Sequence, residues 1–233
     1  MNTLLAICRE GFRRNRVPAF ILQSCAALVL VAYFFVPASQ PFFTRLAGWK
    51  AAYGYLFSAI STMIFGGLVS WGVLWYRGRI PKGMVLKQGL FFLTYWALQG
   101  IMVDTLYRFQ ETWFGQAHDP WTILKKVLVD QGPYNLFYAT PASLLFYTWK
   151  DANFSIKTTR QKLRHQPGQR YWRIMISVWI VWIPSVTMIY MLPADLQIPL
   201  FNLVLCFFTL LLAFVSRDTT EIDLHTQDET GPR

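Results

Sequence analysis

The chain has 233 residues, of which 54% are hydrophobic, 17% aromatic and 15% charged, and its formal net charge is +10. Soluble domains carry about 25% charged residues, so this composition excludes an ordinary soluble protein and is typical of a chain that has a bilayer as its solvent. Because the basic residues lie beside apolar runs, the positive charge indicates membrane topology and contact with anionic lipid headgroups, and not nucleic acid.

A basic N-terminal segment, residues 1–16, contains four arginines and precedes the first predicted helix. The run from Pro18 to Val36 is long enough to span a bilayer. It has no clear small-residue cleavage site, so we predict a retained helix and not a signal peptide. The arginine-rich start is also similar in composition to a mitochondrial presequence, although Glu10 and the few serines argue against that interpretation.

Three further uncharged runs follow, at residues 51–76, 88–103 and 131–149. The run 88–103 is short, and we expect its helix to continue towards Tyr107, while the next one has an amphipathic lead-in from near Ile123. Small residues crowd the run 51–76. Because helices in lipid associate by close approach of their backbones, this span is predicted to be central in the bundle; a small-residue wall lining a pore is the other interpretation.

The segment 171–216 is predicted to form a helical hairpin, because Asp195 is the only charged residue between Arg173 and Arg217. Prolines flank Asp195 on both sides. A proline cannot donate a backbone hydrogen bond, so the first helix is predicted to end near Leu192 and the second to begin near Gln197.

Lys and Arg are distributed unevenly around these six spans. The N-terminus and alternate loops hold fifteen, and the opposite loops hold five, Arg45, Lys50, Arg108, Lys125 and Lys126. The positive-inside rule therefore predicts an all-α polytopic membrane bundle of about six transmembrane helices with both termini inside. We predict one transmembrane domain over residues 17–216 and an acidic, disordered tail over residues 217–233.

Ionisable residues within spans are costly and therefore candidates for function. Asp104, Tyr107 and Arg108 share one side of the third predicted span, and either an ion pair at headgroup level or the lining of a water-filled path explains them. Asp130 and Gln131 stand at the start of the fourth.

Asp130 and Gln131 could cap a helix, bind a loop, or bridge to Lys126 one turn earlier.

No catalytic motif occurs in the sequence, so a non-enzymatic protein is expected. The three cysteines suggest no disulfide framework, and the three histidines do not have the spacing of metal ligands. We therefore expect no cofactor and no metal site.

Four spaced patterns occur in order along the chain: Trp49-x-x-x-Tyr53; Gly100 with Tyr107; Lys126 with Asp130-Gln131; and Trp179-x-x-Trp182 with Tyr190, Pro193 and Asn202. They resemble the family that includes the twenty-two-kilodalton peroxisomal membrane protein and the Mpv-seventeen protein of the mitochondrial inner membrane. The resemblance covers roughly residues 49–213. Asp104 stands where the family has His, and Ile183 where it has Pro, so the chain is similar to a distant member.

Members of that family are integral membrane proteins, and some are reported to act as poorly selective channels linked to organelle homeostasis. The resemblance implies a small-solute pore or a homeostatic role. Our expectation is a pathway lined by six polar and aromatic residues, Asp104, Tyr107, Arg108, Asp130, Gln131 and Trp182, with Trp179, Tyr190, Pro193 and Asn202 as structural signature.

The alternatives are a structural or assembly membrane protein, whose polar residues lock helices together, and a membrane-embedded enzyme. A dry, mutually satisfied polar cluster would favour the structural role, and a wet cavity would favour the pathway. A bacterial inner membrane is the favoured location, with mitochondrial inner or peroxisomal membranes as alternatives. A homo-oligomer stays open.

Overall fold

A computed structural model describes residues 2–164 and 168–210, which contain helices and no strand. The predicted all-α class is thereby confirmed, whereas the predicted tail 217–233 lies outside the described residues. The helices are α1 (Asn2–Phe35), α2 (Gln40–Thr62), π1 (Met63–Leu68), α3 (Val69–Tyr76), α4 (Val85–Phe114), α5 (Pro120–Val129), π2 (Asp130–Ala139), α6 (Thr140–Asp151), α7 (Ile156–Arg164), α8 (Gly168–Tyr190) and α9 (Ala194–Leu210).

The rod formed by α2, π1 and α3 has two irregularities. Gly54 has φ +51°, a conformation that side chains disfavour, and the rod bends there. In π1 the Val69 N–H donates to the Ile64 carbonyl, one residue further back than in an α-helix. The bend turns the first part of α2, which carries Lys50, towards α4, so this lysine is buried and does not lie in a loop as predicted.

The α8–α9 turn lies where the two prolines predicted it. Pro193 precedes α9, and its carbonyl accepts a hydrogen bond from the Leu196 N–H at 2.8 Å. The second helix thus begins at Ala194 and not near Gln197. Asp195 is exposed in the first turn of α9, where the helix dipole favours an acid.

Helix α9 lies at the centre of the packing. Its residues 196–198, 200–202, 204 and 205 are buried, and the hydrophobic core gathers around them from α1, α4 and α8. The rod from α2 to α3, which was predicted to be central, packs its small residues against other helices on one side only, and its other side is exposed. A Cβ added at Gly67 would lie 2.7 Å from the Phe92 carbonyl oxygen, yet Tyr53 and Leu56 are exposed.

The stretch between α6 and α8, predicted to be a basic loop, contains the short helix α7. Asn153 and Phe154 adopt positive φ in the turn before it.

Asp119 caps α5 by accepting hydrogen bonds from Trp121 N and Thr122 N, each at 3.1 Å. Its hydrogen bonds with Thr122 lower the pKa of Asp119.

Two helices are long and apolar enough to cross a bilayer, Pro37–Tyr76 with a mean hydropathy of 1.6 and Val85–Phe114 with 1.2. Three further apolar helices are shorter: Ala19–Phe35, Ile174–Tyr190 and Ala194–Leu210. Length and composition therefore identify two candidate spans in the described part of the chain, and the six-span arrangement stays a prediction.

Candidate solute cleft and polar clusters

An ion cluster joins α2 to α4 at the bend of α2. Lys50 Nζ lies 3.1 and 3.0 Å from the two carboxylate oxygens of Asp104, and the Ser58 hydroxyl donates to Asp104 Oδ2 at 2.7 Å. Arg108 Nε donates to Asp104 Oδ1 at 3.1 Å. We call these four residues the Asp104 cluster.

The local sequence explains how the Asp104 cluster forms. Gly100 stands one turn before Asp104, and a Cβ added there would lie 2.3 Å from the Ser58 carbonyl oxygen. The backbones of α2 and α4 therefore approach closely, and Lys50 and Asp104 are left only 3% and 2% exposed. The Arg108 side chain is 47% exposed, and its guanidinium lies 4.7 Å from the centre of the Tyr55 ring.

A second polar contact ties α9 to α2. The Asn202 amide accepts a hydrogen bond from Thr62 Oγ1 and donates one to Ser61 Oγ, both at 2.8 Å. Asn202 is 1% exposed, so this amide is satisfied entirely by neighbouring helices. Interhelical bonds of this kind hold bundles together in an apolar solvent.

A longer chain of hydrogen bonds runs along π2. Tyr190 Oη donates to Asp130 Oδ2 at 2.6 Å, and Gln131 Nε2 donates to Asp130 Oδ1 at 2.7 Å. Asn135 Nδ2 then donates to Gln131 Oε1 at 3.0 Å, and Thr140 Oγ1 to Asn135 Oδ1 at 2.7 Å. We call these five residues the Asp130 chain. Asp130 therefore contacts Tyr190 of α8, and among the described residues no hydrogen bond or ion pair joins its carboxylate to Lys126.

The π-helical backbone is what aligns this chain. The Thr140 N–H donates to the Asn135 carbonyl five residues back. In a regular α-helix, positions five apart point about 140° away from each other, so Asn135 and Thr140 could not meet. Because the Thr140 N–H donates to Asn135, it does not bond to the Leu136 carbonyl, its partner in a regular α-helix. The next residue, 141, is a proline and has no N–H to donate. The Tyr171 hydroxyl donates to this carbonyl instead.

A cleft of about 700 Å³ lies among α3, α4, π2, α6, α8 and α9. Along α4 it extends from Phe92 to Tyr107, about 22 Å at the helical rise of 1.5 Å per residue. Apolar side chains of α8 and α9 form one wall. Helices α4, π2 and α6 contribute apolar side chains as well, such as Phe92, Trp96 and Val103, together with a group of polar ones: Tyr95, Gln99, Tyr107, Asp130, Gln131, Tyr134, Asn135, Thr140 and Ser143.

The two ends of the cleft differ. Arg79, Lys150 and Asp151 line the end near Phe92, and the first and last of these are exposed. At the opposite end the buried rings of Tyr107 and Tyr190 meet edge to face, with centres 5.3 Å apart. Exposed charged side chains therefore line one end of the cleft, and buried aromatic rings lie at the other.

The six residues predicted to line a pathway divide between two places. Tyr107, Asp130, Gln131 and Trp182 line the cleft. Asp104 and Arg108 belong to the Asp104 cluster, away from the cleft lining. Of the signature residues, Trp179 donates from Nε1 to the Gln131 carbonyl at 2.9 Å, and Tyr190 closes the Asp130 chain. Pro193 precedes α9, and Asn202 bonds α9 to α2.

Several residues of the two clusters escaped prediction from the sequence. The sequence predicts Lys50 in a loop between two spans. In the structure it lies in α2, and the bend at Gly54 turns it inward. Asn135 and Thr140 are five positions apart, which gives no α-helical signal. Tyr134 also lines the cleft, and its buried hydroxyl has no hydrogen-bond partner among the described residues, so it is a donor available to a solute or to water.

Within residues 2–164 and 168–210, no group of three or more His, Cys, Asp or Glu side chains could hold a metal ion. Comparisons with known protein families, with curated protein sequences and with solved structures find no match to this chain.

Proposed function

We propose that the chain is a multi-pass membrane protein that conducts small polar solutes through the cleft, in the manner implied by the resemblance to the Mpv-seventeen family. The observation that carries the proposal is the group of polar side chains in the lining of the cleft, which includes the buried carboxylate of Asp130. A solute pathway through lipid needs hydrogen-bonding groups and charge at its narrow point.

The distribution of polarity supports the membrane half of the proposal. Large apolar side chains such as Phe20, Leu86 and Trp113 are exposed, while Lys50, Asp104 and Asp130 are buried. A soluble protein has the opposite arrangement, because charged side chains are rarely buried and large exposed apolar surfaces are rare. Lipid around the bundle would cover the apolar exterior.

The aromatic end of the cleft supports a gated pathway. Tyr107, Tyr190 and Asp130 are buried there, with a 2.6 Å hydrogen bond from Tyr190 to Asp130, and Arg79 and Lys150 line the other end. Passage requires the Tyr107–Tyr190 contact to separate, so this arrangement corresponds to a pathway open to one side. We favour a bacterial inner membrane as its location.

A second candidate function is a structural or assembly role in the membrane, and the Asp104 cluster favours it. Its Lys50, Ser58 and Asp104 side chains are buried, bonded to one another and shared between two helices. On our proposal it acts as the lock that fixes α2 on α4 beside the pathway, and it does not contact the solute.

The proposal is tested by solute efflux from liposomes that contain the purified chain, with neutral polyols and small carboxylates of increasing size. Asp130→Asn is expected to lower efflux roughly tenfold, since a hydrogen bond to a charged group contributes about 1.5–3 kcal/mol. Asp195→Asn is the matched control, because it makes the same chemical change at an exposed turn.

Efflux that equals that of protein-free liposomes would contradict the pathway and leave the structural role. Efflux that falls equally in both variants would assign the effect to net charge. Light scattering and size-exclusion profiles must be the same for the three proteins, so that a loss of efflux is not a loss of insertion.

A further inference from the structure

A second concave surface lies at the end of the bundle where α6 meets α7. This groove has a volume of about 720 Å³. Its floor is apolar and comes from Leu145, Phe146 and Trp149 of α6 and Leu163 of α7. It is separate from the solute cleft, which contacts neither Trp149 nor Leu163.

The basic residues of α7 are placed on the rim of this groove. Arg160 and Arg164 are one helical turn apart, line the groove and are exposed to solvent. None of the described residues that line it is acidic. The nearest acid along the chain, Asp151, is paired with Lys150 at 2.5 Å. An anionic group above an apolar floor is the complement of this surface.

Trp149 adds a hydrogen-bond donor at the same place. Its indole nitrogen is buried and has no hydrogen-bond partner among the described residues. Indole side chains prefer the depth at which lipid headgroups meet acyl chains, where the ring is in apolar surroundings and the N–H can reach a polar group.

From these three features we propose that the α6–α7 groove binds one anionic glycerophospholipid, with its phosphate between Arg160 and Arg164 and an acyl chain along Leu145 and Phe146. The proposal rests on the membrane location proposed above, and it does not depend on solute conduction. It assigns a specific bound lipid where the charge count alone predicts only general attraction to an anionic surface.

The chain provides a matched control on the same helix. Lys157 and Lys162 carry the same charge as the two arginines but do not line the groove. Arg160→Gln with Arg164→Gln, and Lys157→Gln with Lys162→Gln, therefore lower the net charge equally, although the second also removes an exposed hydrogen bond from Lys162 to the Asp151 carbonyl. All four side chains are exposed, so both variants are expected to fold.

The experiment uses the full chain reconstituted in phosphatidylcholine vesicles that contain a minor fraction of phosphatidylglycerol. Flotation after an alkaline wash first establishes insertion. Native mass spectrometry then counts the phosphatidylglycerol molecules that stay bound after mild extraction. One retained molecule is expected for the unmodified chain and for the lysine variant, and retention is expected to fall roughly 10- to 30-fold in the arginine variant.

Equal loss in both variants, or loss in neither, would overturn the groove as a specific site. Displacement of the lipid by inorganic phosphate at low millimolar concentration would also overturn it, since the acyl chain would then contribute nothing. A chain that does not float with the vesicles contradicts the membrane location itself, whereas a chain that floats without preferring phosphatidylglycerol contradicts only the groove.

Discussion

The buried carboxylates Asp104 and Asp130 are two acids in one bundle with different surroundings. Asp104 is enclosed by Lys50, Ser58 and Arg108, so its charge is balanced by a cation 3.0 Å away. Asp130 is bonded to neutral groups, Tyr190 and Gln131, and lines a cleft. The first arrangement joins two helices, and the second places a carboxylate in the lining of the cleft.

Asp104→Ala is expected to destabilise the protein by about 3–5 kcal/mol, because it leaves the buried Lys50 ammonium without a counter-charge. Unfolding in detergent, followed by circular dichroism, measures the loss. The double variant Asp104→Leu with Lys50→Met removes both charges and should recover most of the stability, since apolar residues can replace a buried pair.

Arg108→Gln is the control for this prediction. The Arg108 side chain is half exposed, so its pair with Asp104 should contribute less than about 1 kcal/mol. If Arg108→Gln were as harmful as Asp104→Ala, or if the double variant recovered nothing, the Lys50–Asp104 contact would not be the stabilising one.

At the scale of helices, glycines mark where backbones touch. Gly100 faces α2 so closely that an added Cβ would lie 2.7 Å from Thr62 Oγ1 as well as 2.3 Å from the Ser58 carbonyl oxygen. Gly72 has nothing within 4 Å of the same added atom. Both stand inside helices, so they differ in contact and not in backbone conformation.

Gly100→Ala is expected to destabilise the bundle by about 1–3 kcal/mol, because α2 and α4 must move apart. Gly72→Ala should be neutral, or stabilising by up to about 1 kcal/mol, because alanine favours helix over glycine. Thermal unfolding of the two variants in the same detergent compares them. Equal effects would show that helix propensity, and not the α2–α4 contact, determines the result.

The helices themselves were accessible from the sequence, because length, hydropathy and proline positions fix where apolar helices begin and end. The proline rule located the α8–α9 turn to within a few residues. The inward turn of Lys50 was not predictable, because it depends on a positive φ at one glycine, and a glycine permits a bend without requiring it. The Asp130 chain was not predictable either, because Asn135 and Thr140 are five positions apart and would not share a face in a regular α-helix.

At the scale of the whole molecule, burial changes the charge count that underlies the topology. Of the five basic residues predicted on the less basic side, Lys50 and Lys126 are buried in the bundle. Lys150, on the more basic side, is buried as well. The orientation with the α3–α4 and α6–α8 connections inside therefore stays a prediction.

Single cysteines test the orientation. In a background with Cys8, Cys25 and Cys206 replaced by Ser, Lys82→Cys and Lys157→Cys should react with a membrane-impermeant maleimide from the same side. Gln116→Cys should react only from the other side. All three positions are exposed, so access is limited by the bilayer alone. Labelling of all three from one side would contradict the predicted bundle, in which one span separates Lys82 from Gln116 and another separates Gln116 from Lys157.

The wide turn of π2 has a consequence for changes in chain length. Removing one residue from a regular helix rotates everything beyond it by about 100° and usually destroys a packed face. Here a single deletion between Asn135 and Thr140 would bring them to the four-residue spacing of a regular helix and keep both on the cleft wall. An insertion at the same place would separate them further. This segment is therefore expected to tolerate shortening by one residue and to resist lengthening.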